Sequence, residues 1–363
     1  MRLRAFAVCG LIAASLLCQA QHFKFVVTGD GRSDGMPGRK GFDDVGINKT
    51  MMRELVAQVL KNKAKFVLFS GDLVLGYTSE EVFRSQLTSW LILMAPLYDR
   101  GIGVYPVRGN HDAYSTHDDE VWTSVFSGKY RLPENGPDDE KDATWSFQYE
   151  NALFIGLDEW GKHEHAVNQK WLDRQLATNK LPHVFAMGHE MAFKSGSHAD
   201  NLDNKPAQRD RFIASFAKAG GRVYFCGHDH FYDRCEITDP KSGFDVCQLV
   251  VGTAGAPFYH GDKHDGNNTH WRVAPQKHIE DTYGYTLVEI DGPKATLTFY
   301  GRKGPGDYEA MDEFSYRVEG KRVEGCWGLG VRCWVLGFGP WALGFGLWAL
   351  GFGVRRWVLG VRC

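Results

Sequence analysis

Five times along this chain, a short run rich in Val, Phe, Tyr or Ile ends in a glycine followed at once by a carboxylate, an amide or an imidazole. Residues 23–28 lead into Gly29-Asp30-Gly31-Arg32, 65–70 into Gly71-Asp72, 103–108 into Gly109-Asn110-His111-Asp112, 183–187 into Gly188-His189-Glu190, and 222–226 into Gly227-His228-Asp229-His230. Short apolar runs closed by turn residues read as buried strands. Open α/β sheets bind ligands outside the carboxyl ends of their strands, so the five polar tips are expected in one crevice although they are far apart in sequence.

The donor types narrow the chemistry. Carboxylate, amide oxygen and imidazole suit Zn, Fe or Mn, and no paired Cys offers a soft thiolate site. A shared carboxylate can hold two cations about 3.5–4 Å apart, which clamp the attacking and leaving oxygens of an in-line displacement. Bound water is acidified as well, from 15.7 to roughly 7 on a lone zinc. Taken singly, a Gly-Asp after a strand is a turn or a cap. The ordered recurrence carries the metal reading.

Over roughly residues 23–300 the motif order resembles the calcineurin-like metallophosphoesterases. The resemblance implies an α/β fold, a mixed two-sheet sandwich flanked by helices in four α/β/β/α layers. It also implies two divalent or trivalent transition-metal ions (Mn, Fe or Zn), the first held by Asp30, Asp72 and His230 and the second by Asp72, Asn110, His189 and His228. The implied reaction is hydrolysis of a small phosphate mono- or diester by a metal-bound hydroxide. His111 would protonate the leaving alcohol, with Asp112 steadying its ring, a contribution of roughly 100- to 10,000-fold.

One position departs from the family. The first motif usually reads Asp-x-His, and its third place here is Arg32, whose guanidinium cannot ligate a metal. Purple acid phosphatases replace that His by a Tyr three residues after the bridging Asp, a place that holds Leu75 here. Weaker binding of the first ion is expected. Arg32 is left to grip a substrate phosphate oxygen or to pair with a nearby carboxylate.

Of 363 residues, 43% are hydrophobic and 24% charged, as in a soluble globular protein. The formal net charge of -2 provides no bulk basic field, so no nucleic-acid partner is expected and a nuclease is the weaker reading. A catalytically impaired binding protein on the same scaffold is the other alternative, against which the retained His111 speaks. Residues 1–20 read as a secretory signal, with a basic start, an apolar stretch over 5–17 and Cys18-Gln19-Ala20 before the cut. The protein is therefore expected to be secreted or periplasmic. Lipidation at Cys18 is the rival reading, disfavoured by the bulk of Leu17. The phosphoesterase domain is expected over 21–318.

Residues 319–363 form a low-complexity tail in which Trp327, Trp334, Trp341 and Trp348 recur every seven residues. Membrane attachment is expected only if this tail anchors, and its glycines and Pro340 disfavour a helix. Oligomeric state is left open. Cys235 and Cys247 lie equidistant from Lys241 in a turn segment and are expected to face each other as a disulfide, while Cys226 reads as buried filler. Strands in the first half are expected to be parallel, and those at 145–149, 152–158, 247–252, 285–290 and 295–300 antiparallel. Residues 113–142 read as an insertion at the mouth of the site. His198 is read as a solvated loop residue near the site, and His260, His264 and His270 as loop residues rather than a further metal site.

Overall fold

The computed structural model describes residues 21–33, 46–114, 116–261, 264 and 270–318. The signal expected in 1–20 and the repeat tail expected in 319–363 lie outside the described residues. In chain order the elements are β1 (His22–Thr28), α1 (Lys49–Lys61), β2 (Phe66–Phe69), α2 (Glu80–Tyr98), β3 (Gly103–Pro106), α3 (Asp118–Val125), β4 (Trp145–Tyr149), β5 (Ala152–Gly156), α4 (Gln169–Thr178), β6 (His183–Met187), α5 (Pro206–Lys218), β7 (Gly221–Cys226), β8 (Tyr232–Thr238), β9 (Asp245–Val251), β10 (Arg272–Ile279), β11 (Gly284–Asp291), β12 (Lys294–Gly304) and β13 (Asp307–Arg317).

They form a six-stranded sheet in the order β13-β12-β11-β1-β2-β3 and a seven-stranded sheet in the order β10-β8-β9-β7-β6-β5-β4. Alternation of side chains along each strand sends one face of each sheet to its partner and the other to helices. Phe25 and Phe66 of the first sheet meet Phe154 of the second at 5.1 and 4.9 Å between ring centroids. Phe69 lies on the opposite face from Phe66 and packs edge-on against Trp90 of α2 at 5.4 Å. On the outer face of the second sheet Tyr224 meets Phe212 of α5 at 5.2 Å. The four-layer α/β/β/α arrangement follows.

β1, β2 and β3 run parallel, as do β5, β6, β7 and β9, so their carboxyl ends share one rim in each sheet. The antiparallel expectation for β5 and β9 holds on one side only: β5 pairs antiparallel with β4, and β9 with β8. β10 and β13 gave no apolar signal because each is the outer strand of its sheet and carries charges along its length, which protects an edge from further pairing.

The expected disulfide is overturned. Cys235 pairs with Gln248 across the hairpin and Cys247 with Glu236, so the register is one residue off the symmetric one. A one-residue slip puts side chains on opposite faces of a sheet. Accordingly Cys235 is buried on the helix side, Cys247 lies against the inter-sheet core, and both are free thiols, as is the buried Cys226.

Candidate metal centre

Every expected donor sits just past a strand's carboxyl end, on a backbone that turns sharply. Asp30, Asp72 and His228 have φ of 61°, 52° and 72°, left-handed values that L residues adopt at a cost of about 1–3 kcal/mol each. The first two turns are locked together by Asp30 N–H donating to Gly71 O at 3.0 Å and Gly31 N–H to Asp72 O at 2.8 Å. The preceding glycines are needed for close approach. A Cβ on Gly109 would stand 2.2 Å from Asp72 Oδ1, and one on Gly227 would stand 2.2 Å from Asp30 Oδ2. The two sheets meet here, because His228 N–H reaches the Asp30 carboxylate at 3.3 Å.

On one side of Asp72 three acceptors converge. His189 Nδ1 donates to Ser70 O at 2.7 Å, which leaves the neutral ring with a bare Nε2. That nitrogen faces Asn110 Oδ1 at 3.1 Å and Asp72 Oδ1 at 3.4 Å. The Asn110 amide nitrogen is turned away to Tyr77 Oη at 2.6 Å. The ring of His228 stands 4.9 Å from that of His189, and its buried Nε2 has no hydrogen-bond partner. Lone pairs facing one another with no proton between them fit a bound cation, so the donor chemistry of Asp72, Asn110, His189 and His228 suits the second implied ion.

The other side of Asp72 is different. Ligand atoms of Asp30, Asp72 and His230, all buried, lie within 4.8 Å of one another, close enough to hold a metal ion. His230 Nδ1 donates to Pro257 O at 2.6 Å, so Nε2 is free to bind. Arg32, however, is buried against them, its Nε 3.7 Å from Asp72 Oδ2 and its Nη2 3.5 Å from His230 Nε2 and 3.4 Å from Tyr259 Oη. A β-bridge to Ile47 holds its backbone. At such distances unit charges interact by about 4 kcal/mol at an effective dielectric near 20, so the guanidinium attracts Asp72 and would repel a cation placed beside it. Burial pushes Asp30 up to about 8 against the pull of His189 and Arg32. Burial opposes ionisation of Asp72 too, but His189, His111 and Arg32 together hold it at about 2.

His111 lies beside this group, Nδ1 donating to Leu75 O at 2.5 Å and Nε2 3.9 Å from Asp72 Oδ2. The expected support of its ring by Asp112 is not found. The fully buried Asp112 carboxylate instead accepts the N–H groups of Leu73 at 3.2 Å and Gly109 at 3.1 Å, tying the two loops together, while a backbone carbonyl orients His111. His198 is not a solvated loop residue either: its Nδ1 meets Asp229 Oδ1 at 2.9 Å and its ring stacks on His228. His260, His264 and His270 face the carboxylates of Glu280, Asp233 and Asp239 at 3.2, 3.1 and 3.6 Å.

Three contributors are not among the residues the sequence points to. Tyr77 and Tyr259 sit in loops without periodicity. Glu159, past β5, accepts the successive N–H groups of His189 and Glu190 at 2.8 and 2.7 Å and so sets the strand end that carries His189. A carboxylate on the same run as Asp158 was the only clue to it.

The family model for calcineurin-like phosphoesterases matches residues 42–232, more than half of the chain, and the protein belongs to that family. The match takes in every expected ligand after the first motif and begins beyond Asp30 and Arg32. Among solved structures, the purple acid phosphatase PPD1 from yellow lupin (Lupinus luteus) seeds is similar with a TM-score of 0.59 at 16% identity, over 82% of this chain and 54% of that one. The chain thus spans about half of the lupin enzyme. GAP50, the anchor in the inner membrane complex of Plasmodium, gives 0.56 at 14% over 84% and 91%, and a dimetal phosphatase from Danio rerio gives 0.54 at 15% over 82% and 99%. No curated protein matches. At these identities the structural likenesses show a shared fold, while family membership implies divalent metal ions.

Proposed function

We propose that the protein is an exported, metal-dependent phosphoesterase acting on a small phosphate mono- or diester in the crevice around Asp72. The observation that carries this is the convergence of Asp72 Oδ1 and Asn110 Oδ1 on His189 Nε2, acceptors facing an acceptor, with Asp72 and His189 buried and Asn110 half-buried. An ion held there supplies Lewis acidity toward a phosphoryl oxygen and lowers the pKa of water. In the family's dinuclear arrangement Asp72 would be shared, and Asp30 and His230 would hold one ion while Asn110, His189 and His228 would hold the other.

The chain's own groups have distinct tasks. Tyr77 and Ser70 fix the orientation of Asn110 and His189. His111, with Nδ1 anchored on Leu75, presents Nε2 as the atom that passes a proton to the leaving oxygen. Export rests on the reading of residues 1–20.

Purified protein should hydrolyse 4-nitrophenyl phosphate or its bis-ester with added Mn, Fe or Zn and stop with chelator. A folded, metal-loaded protein that turns over neither would sink the reading. A binding protein without turnover is the second reading, and the burial of Arg32 against Asp72 is what favours it. Calorimetric phosphate binding by protein that hydrolyses neither ester would decide for it.

A further inference from the structure

We infer that this centre holds one metal ion rather than two, and that the Arg32 guanidinium takes the place of the other cation. The inference rests on the metal-dependent reading above and concerns how its charge is supplied. Its basis is an asymmetry between the two sides of Asp72.

Where Asp72, Asn110 and His189 meet, the polar atoms are acceptors facing acceptors, and beside them His228 Nε2 is buried without a hydrogen-bond partner, 4.0 Å from Asp200 Oδ2. Those lone pairs call for an ion. On the Asp30 and His230 side the chain brings its own positive charge. Arg32 Nη2 lies 3.5 Å from His230 Nε2, the nitrogen that would bind the ion, and Nε lies 3.7 Å from Asp72 Oδ2. The guanidinium is permanently charged, so it cannot yield by losing a proton. Nor is it free to leave easily. Its backbone is bridged to Ile47, its Nη1 donates to Ser33 O at 3.4 Å, and its Nη2 to Tyr259 Oη at 3.4 Å, with the Tyr259 ring stacked on His230 at 4.0 Å. Asp72 would therefore be shared between an ion and an arginine.

The test is metal stoichiometry on the full chain, stripped with chelator, equilibrated with excess Mn(II), dialysed and counted by inductively coupled plasma mass spectrometry, with the electron paramagnetic resonance spectrum recorded in parallel. One ion per chain with the six-line spectrum of isolated Mn(II) is expected. Arg32→His should then take two ions and show a spin-coupled spectrum, and Asp30→Asn, which removes a ligand only in the two-ion arrangement, should keep its single ion. Two ions in the native chain, or loss of the ion in Asp30→Asn, overturns the inference whether or not Arg32→His folds. One ion in a folded Arg32→His overturns the role given to Arg32. No ion in the native chain overturns the metal-dependent reading itself.

Discussion

The imidazoles of His198 and His228 lie face to face, 3.9 Å between ring centroids and 21° between planes, while His198 Nδ1 meets Asp229 Oδ1 at 2.9 Å. Asp229, the residue between the two histidines of the last motif, thus holds a third imidazole against the first of them. A residue that orients a ligand from behind is worth roughly 10- to 100-fold in metal affinity. His198→Ala should weaken Mn(II) binding by an amount in that range, read by titration calorimetry. His198→Phe should recover part of the loss by restoring the stack.

His111 and Asp112 are neighbours with separable effects. His111→Ala should retain its metal while turnover falls by roughly 100- to 10,000-fold, most for esters whose leaving groups need protonation. A series of aryl phosphates of graded leaving-group pKa measures this, and metal loss equal to that of His228→Ala would instead make His111 a ligand. Asp112→Ala should chiefly lower the melting temperature, since it strips two buried N–H groups of their acceptor at about 1–3 kcal/mol each.

Arg108, just before the Asn110 turn, is buried and paired with the buried Asp158 at 2.5 Å through Nη2, while its Nη1 reaches Asp119 at the start of α3. Removing one partner of a buried pair leaves the other charge uncompensated, at roughly 3–5 kcal/mol. Arg108→Ala should lose stability on that scale in urea unfolding. A loss below about 1 kcal/mol would show that Asp158 finds another partner.

The two sheets are also tied by Asp312 on β13, which accepts Tyr232 Oη at 2.8 Å and Arg234 Nε and Nη2 at 2.7 and 3.0 Å from β8. Half-burial raises its pKa, but those bonds prevail and hold the carboxyl below its ordinary value. The folded carboxyl then binds its proton less tightly than the unfolded one. Its stabilisation is full above the unfolded value of about 3.9 and fades as pH falls through the lower folded value. Asp312→Asn should therefore cost stability at pH 7, with the gap to the native protein closing below about pH 4. A gap that stays constant down to pH 2 would remove Asp312 from the account of acid stability.

Much of the site was legible because its signals are local. A buried strand, a glycine that permits close approach and a donor directly after it are all written within a few residues, which is why Asp30, Asp72, Asn110, His189, His228 and His230 could be named together. The parallel order of β1, β2 and β3 was legible for the same reason, in the alternation of apolar runs with helical periodicity. Tyr77, Tyr259 and Glu159 were not, because a loop residue reaches a site through the path of the whole chain and leaves no periodic trace.

The sequence by itself determined which chemistries could meet at the strand ends and that Arg32 stands where the family has a metal-binding histidine. Tertiary structure alone decided what that arginine does. Its side chain turns inward onto Asp72 and His230 because the bridge to Ile47 and the ring of Tyr259, remote in sequence, close around it. It also decided the fate of the two cysteines. Spacing about Lys241 sets how far apart they are along the chain, but only the hydrogen-bond register places Cys235 opposite Gln248, and in a pleated sheet one residue of register is the difference between two side chains that meet and two that point to opposite faces.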